Sequence, residues 1–156
     1  MATPKMKKKV LFRVLDQTFW KTCAKLTDHR DVLVLAFLEG GPSSHQTGLF
    51  SMHLIDVCRY TLLTEKEVRD SINKLSKHGL IVFDPFRSIV YVKGMASRQY
   101  RTNDFNDTQL AGLCYHAERM EDMDSPAVDQ YIHDLSEAYD DAAIFFGGES
   151  SLDDAG

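Results

Sequence analysis

The stretch LTEKEVRDSINKLSKHGLI, residues 63–81, restricts the possible folds more than any other part of the chain. Thr64 and Glu67 form a capping box, in which the hydroxyl accepts a free N–H of the first helical turn and the carboxylate accepts the backbone N–H of Thr64. Gly79 stands where a left-handed cap is needed to end a helix. The pattern therefore predicts a helix over about residues 65–78.

The two faces of this predicted helix differ in composition. Val68, Ile72 and Leu75 follow the i, i+4, i+7 spacing of a buried stripe. The opposite face is mostly basic and consists of Lys66, Arg69, Asp70, Asn73 and Lys77, with Lys74 beside them. Lysine and arginine can contact phosphates or guanine, and asparagine can form two hydrogen bonds to adenine. A solvated helix face has a similar composition, and Asp70 repels phosphate, so both interpretations stay open.

The segments around this helix predict a winged helix-turn-helix. It is preceded by a short helix in DQTFWKTCAKL, a helix capped by Thr27 and ended by Gly40 and Gly41, a short strand in LFSM and a helix in HLIDVCRYT. Two β-rich runs, LIVFD and IVYVK, follow it and are joined by the tight turn PFRS. In a winged helix-turn-helix the helix over 65–78 would be the DNA-reading helix and the hairpin would be the wing. KKVLFRVL is a further candidate strand.

Two additional helices are predicted towards the C-terminus. The polar segment SRQYRTNDFN is predicted to be a loop or a frayed turn. After it, DTQLAGLCYHAERM has a helical period, and Ser125 and Pro126 open a second helix. The expected fold class is mainly α (α+β), a winged helix-turn-helix with a small β-hairpin wing and two additional C-terminal helices. Because the apolar stripes of these helices need burial, they should dock on the winged domain or pair with a second copy in a homodimer.

The charge of the chain is divided unevenly along its length. Residues 118–156 carry 12 acidic residues and one basic residue, a net charge of −11, whereas residues 1–117 carry 17 basic and 11 acidic residues, a net charge of +6. We expect four parts: a basic arm over 1–9, a winged-helix domain over 10–95, a helical extension over 96–146 and an acidic disordered tail over 147–156. A basic body suits an anion-binding protein whose tail limits non-specific attachment, although an acidic tail also serves solubility.

The candidate DNA-binding residues lie on four segments. The helix contributes Lys66, Arg69, Asn73, Lys74 and Lys77, the wing contributes Arg87, and the preceding helix contributes Arg59. Lys7, Lys8 and Lys9 in the N-terminal arm add phosphate contacts or enter a minor groove.

Several other classes of protein are disfavoured by the sequence. Three widely spaced cysteines and six histidines show no metal-ligand spacing, so no metal or cofactor is expected. There is no GxSxG, Walker or GxGxxG motif, so the chain is not expected to be an enzyme. The longest apolar runs are too short for a membrane span, and the basic N-terminus lacks the apolar segment of a secretory signal. A cytoplasmic protein is expected.

TGLFSMHLIDVCRYTLLTEKEVRDSINKLSKHGLIVFDPFRSIVYVKGM resembles the N-terminal winged-helix domain of phage replisome organizers, the DnaD-like replication-initiation proteins. The shared pattern is a short strand with Gly and an aromatic residue, a helix entering a threonine turn, the motif EV…L..L…GLI..D and an aromatic-valine-lysine strand. With the upstream FW and the downstream SPAV..Y…L…Y, the resemblance spans residues 19–139. It implies origin DNA binding and recruitment of the replicative helicase or its loader. We expect no separate C-terminal domain after these helices, so the resemblance supports DNA binding more than it supports loader recruitment.

Two alternative functions remain open at this point. A phage transcription regulator would use the same double-stranded DNA-binding face. A winged helix that serves as a protein-interaction module, or as an acidic inhibitor that does not bind DNA, would account for Asp70 and for the acidic tail.

Overall fold

The computed structural model describes residues 12–120 and 124–147. It is mainly helical with a small three-stranded antiparallel sheet, so the expected α+β class is confirmed. The elements of the described residues are α1 (Gln17–Cys23), α2 (His29–Gly40), β1 (Leu49–Ser51), α3 (Leu54–Thr61), α4 (Glu65–Lys77), β2 (Ile81–Asp84), β3 (Ile89–Val92), α5 (Met95–Tyr100), α6 (Asp107–Glu118), α7 (Pro126–Ala138) and α8 (Asp140–Phe145). The predicted basic arm over 1–9 and residues 148–156 of the predicted tail lie outside the described residues.

The sheet has the strand order β1-β3-β2, and both of its faces are covered by helices. Val82 and Tyr91 pair across β2 and β3, and Phe50 and Val90 pair across β1 and β3. Every residue of β3 is buried. Successive side chains of a strand point to opposite faces, so a fully buried strand requires a packed layer on each side.

One layer is built by α1–α4 and contains the larger core. Val68, Ile72 and Leu75 of α4 pack in it with Leu38 of α2 and Val57 of α3. The predicted inward stripe of the 65–78 helix is therefore confirmed. Burying each of these side chains contributes about 1.5–3 kcal/mol, which holds α4 against α2 and α3.

The helices α6–α8 form the other layer, in which α7 crosses all three strands and α6 and α8 pack beside it. Their predicted apolar faces are buried against Leu49, Ile89 and Tyr91 of the sheet. The buried helix residues include Leu110, Leu113, Cys114, Ala117, Val128 and Leu135. Because this stripe is buried within the chain, it does not need a second copy to cover it. The homodimer stays a prediction, and the buried stripe no longer supports it.

Several local predictions were wrong. Asp28, not Thr27, caps α2, since its side chain accepts the Arg30 N–H at 2.9 Å. The first four residues of the segment predicted as a loop or frayed turn, 97–100, belong to the short helix α5. The helix α8 was not predicted. Residues 12–15 of the candidate N-terminal strand form no strand, and the rest of that strand lies outside the described residues.

Within residues 12–120 and 124–147, no helix combines the length and the apolar character that crossing a membrane requires.

Candidate nucleic-acid interface

The helix α4 begins and ends as its sequence predicts. The Thr64 hydroxyl accepts the Glu67 N–H at 3.2 Å, and the Glu67 carboxylate accepts the Thr64 N–H at 3.1 Å. The Thr64 amide and, after it, the Thr64 hydroxyl lower the pKa of Glu67, because hydrogen bonds to its carboxylate favour the charged form. At the other end Gly79 has a φ of +72° and the Leu80 N–H bonds to the Leu75 carbonyl, which stops the helix. The capping box and the left-handed cap are thereby confirmed.

The exposed face of α4 carries a row of polar side chains. Lys66, Asn73 and Lys77 are exposed and make no side-chain hydrogen bond or ion pair with another described residue. Arg69 is also exposed, but its guanidinium donates two hydrogen bonds to Glu65, one turn earlier, the shorter at 2.7 Å. Such an exposed i,i+4 pair is weak and can be exchanged for another anion.

Lys74 differs from its neighbours because its ammonium is paired with carboxylates of α2 and its N-cap, although the side chain is exposed. Its Nζ lies 3.1 Å from the Asp28 carboxylate, which caps α2, and 3.8 Å from the carboxylate of Asp31. The hydrogen bond to Asp28 raises the pKa of Lys74, and the Arg30 N–H, followed by Lys74, lowers the pKa of Asp28. Lys74 therefore links α4 to the start of α2 through an exposed ion pair, a contact that its place among the basic residues of the sequence does not indicate.

The β2–β3 hairpin projects beside α4 and has a rigid tip. The buried carboxylate of Asp84 accepts the Phe86 N–H at 2.9 Å and the Arg87 N–H at 3.2 Å. Burial alone would raise the pKa of Asp84, but the Ser125 hydroxyl, these two amides and the Arg87 guanidinium at 3.7 Å hold it below its usual value. The charged Asp84 thus fixes the turn and places Phe86 and Arg87 at its outer end.

A groove of about 320 Å³ separates α4 from the hairpin. Arg69, Asn73 and Ser76 supply its polar side. Its apolar lining is formed by Leu54, Ile72, Phe83 and Pro85. The groove therefore joins two of the four predicted binding segments, the helix and the hairpin, into one continuous surface. Arg59 is exposed in the last turn of α3 and does not line this groove. Lys7, Lys8 and Lys9 lie outside the described residues.

A second cluster of polar residues lies between the α2–β1 loop and α6. The imidazoles of His45 and His116 are stacked with their centroids 4.0 Å apart. His116 Nε2 donates to the Leu49 carbonyl at 2.6 Å, and His45 Nδ1 accepts the Thr47 N–H at 3.3 Å. Burial, His116 and the nearby Arg13 lower the pKa of His45 to about 4, and burial also lowers that of His116. Both rings are therefore neutral in the folded protein at neutral pH.

Acidification from pH 6.5 to about 4 is expected to destabilise the protein by about 1–3 kcal/mol through this pair. Over that range the two histidines bind protons in the unfolded chain but stay neutral in the folded protein. The stability present above pH 6.5 is therefore lost as the pH falls. Urea unfolding across this pH range measures the effect. His45→Phe keeps the stacked ring but cannot titrate, so it should flatten the dependence, whereas the exposed His29→Gln control should not. Equal slopes for wild type and His45→Phe would contradict this account.

A cavity of about 260 Å³ lies between β3 and α7 and has a mixed lining. The Tyr91 hydroxyl donates to Asp134 at 2.8 Å, and the Tyr131 hydroxyl donates to the Leu113 carbonyl at 2.7 Å. Burial raises the pKa of both tyrosines. Each hydroxyl therefore has its acceptor within the chain. The cavity is a gap in the packing of the helical layer on the sheet, and these groups do not call for a ligand.

In the part of the chain that the structure describes, no three side chains of His, Cys, Asp or Glu come together in a way that could hold a metal ion. Cys23, Cys58 and Cys114 are free thiols, and burial raises the pKa of Cys23 and Cys114, which disfavours the reactive thiolate.

Comparison of the chain with protein-family models, with curated proteins and with solved structures gives no match. The assignment of a function therefore depends on the geometry of the surface formed by α4 and the β2–β3 hairpin.

Proposed function

We propose that this chain is a winged-helix protein that binds double-stranded DNA in phage or prophage replication initiation. In this proposal α3 and α4 are the helix-turn-helix, α4 is the recognition helix and the β2–β3 hairpin is the wing. The observation that carries the proposal is the row of Lys66, Asn73 and Lys77, exposed and free of described partners, beside the groove that ends at the hairpin. The order α2-β1-α3-α4-β2-β3 with a β1-β3-β2 sheet supports it.

The residue types on this surface match the chemistry of duplex DNA. An α-helix fits the major groove, where Asn73 can read adenine and Lys66 and Lys77 can reach phosphates or guanine. Arg69 can exchange Glu65 for a phosphate at small cost, because the pair is exposed. Asp70 opposes binding, but the net charge of +6 over residues 1–117 favours association with a polyanion.

The role in replication is supported by the resemblance to phage replisome organizers over residues 19–139. That resemblance extends the proposal to the bacterial cytoplasm as the site of action and to a helicase or helicase loader as a partner. A transcription regulator would use the same surface, and footprinting would distinguish the two by placing the protected site at an origin or over a promoter.

A protein-interaction module is the second candidate function, and the exposed apolar side chains of α3 favour it. Ile55 and Tyr60 lie on this helix and Leu62 caps it, and all three are exposed. Clusters of exposed apolar residues often mark protein-binding surfaces. A module of this kind would show no affinity for duplex DNA at low salt.

Lys66→Ala and Lys77→Ala are each expected to weaken binding to duplexes of any sequence and to lower the slope of log affinity against log salt by about 0.9. The reason is that each lysine is free to displace one counterion from the DNA backbone. Fluorescence anisotropy with labelled mixed-sequence duplexes over a range of salt concentrations gives both quantities.

Lys21→Ala on α1 is the matched control. Lys21 is exposed on another helix, so its substitution should leave the salt slope close to wild type. Unchanged affinity in both Lys66→Ala and Lys77→Ala would remove α4 as the DNA-binding element.

A further inference from the structure

The aromatic ring of Phe86 stands almost free in solvent at the tip of the hairpin. Its side chain is 93% exposed, the highest value among the large apolar side chains of the described residues. Exposing an aromatic side chain gives up the roughly 1.5–3 kcal/mol that burial would contribute. A ring in this position therefore suits contact with a partner better than support of the fold.

The backbone at the tip keeps Phe86 pointing outward. Asp84 accepts the amides of Phe86 and Arg87, and Pro85 has a fixed φ immediately before the ring. Ser88 completes the turn with a φ of +53°. The four restraints hold the tip in one shape, so the ring is presented without the loss of conformational freedom that a flexible loop would suffer on binding.

The groove between α4 and the hairpin relates this ring to the recognition helix. Arg69 and Ser76 supply hydrogen-bond donors along one wall, and Pro85, the residue before Phe86, lies on the other. Such a groove suits a phosphate backbone, which carries the acceptors that these side chains require. If α4 occupies the major groove of the DNA, the phosphate backbone that runs through the protein groove separates the major groove from the minor groove. The hairpin tip then lies on the minor-groove side.

We propose that Phe86 acts as an apolar wedge that enters the minor groove of bound duplex DNA, partly unstacks one base step and bends the DNA. This inference rests on the proposed function and specifies the form of DNA that the surface binds. Phenylalanine is among the side chains that wedge base steps open. The preferred sites would be flexible pyrimidine–purine steps such as TA, where unstacking costs least.

The wedge is tested with Phe86→Ala and Phe86→Leu in the full chain. The probe is a mixed-sequence duplex with TA steps, with 2-aminopurine beside one step and a donor–acceptor dye pair at the ends. Wild type should raise the 2-aminopurine fluorescence and shorten the distance between the dyes. Phe86→Ala should abolish both signals and weaken duplex binding about tenfold, whereas Phe86→Leu, which keeps an apolar wedge, should retain both signals.

Ile144→Ala is the matched control, because Ile144 is an exposed apolar residue on α8, which packs on α6 and α7. It should behave as wild type. If wild type binds the duplex and Phe86→Ala gives the same affinity, fluorescence and bend, the wedge is overturned while the proposed function stands. If Phe86→Ala weakens single-stranded DNA binding and leaves the duplex signals intact, the duplex wedge is also overturned. If wild type binds no duplex at low salt, both proposals fail together.

Discussion

Replacing Glu39 with alanine is expected to lower the free energy of unfolding by about 3–5 kcal/mol. Glu39 is fully buried at the C-terminal end of α2, where the helix dipole also disfavours a negative charge. Arg98 compensates with three hydrogen bonds to its carboxylate, the shortest at 2.6 Å. Without Glu39 the largely buried guanidinium of Arg98 would keep the Lys93 carbonyl, 3.1 Å away, as its remaining described acceptor. Urea unfolding at pH 7 measures the loss.

Two comparisons separate the buried charge from general disruption. The double substitution Glu39→Leu with Arg98→Met should recover much of the stability, because it removes both charges and keeps the volume. Glu65→Ala, which breaks the exposed pair with Arg69, should change the stability little. A small loss for Glu39→Ala, similar to that for Glu65→Ala, would show that the pair does not hold α5 against α2.

Leu113→Ala is expected to destabilise the protein by about 2–5 kcal/mol. Leu113 is fully buried where α6 meets α7 and the sheet, and its carbonyl accepts the Tyr131 hydroxyl. Truncating it leaves a cavity in the core that attaches the C-terminal helices to the sheet. Thermal and urea unfolding measure the change. DNA binding by the folded variant should be unchanged, because α4 packs in the other core.

The preceding residue, Gly112, provides a control substitution that should raise the stability instead of lowering it. Gly112 lies in the same helix, and a Cβ added there meets nothing within 4 Å. Gly112→Ala should therefore raise stability by about 0.5–1 kcal/mol through helix propensity. If Leu113→Ala unfolds at the same urea concentration as wild type while Gly112→Ala is stabilised, the helical layer is not packed on the sheet as described.

The parts of the fold that the sequence predicted correctly depend on contacts between near neighbours. The capping box of Thr64 and Glu67 defines the start of α4, and Ser125 with Pro126 defines the start of α7. The helix α5 was missed because its anchor, the pair of Arg98 and Glu39, joins residues 59 positions apart. Periodicity over a short window cannot detect such a contact.

The sequence predicted only part of the candidate site, because some of its contacts also join residues that are distant in sequence. Helical spacing predicted that Lys66, Asn73 and Lys77 are exposed. It did not distinguish Lys74, whose partner Asp28 is 46 positions away. The exposure of Phe86 depends on the turn that Asp84 fixes, and the predicted turn PFRS gave its place but not its orientation.

The most direct test of the central claim is a titration of the ¹⁵N-labelled full chain with a mixed-sequence DNA duplex at low salt, followed by NMR. If α4 and the hairpin bind DNA, amide resonances of Lys66, Arg69, Asn73 and Lys77 and of residues 86–88 should shift first and most. These shifts should diminish as salt is added, because phosphate contacts release counterions. The absence of shifts, or shifts confined to α6–α8, would contradict the account.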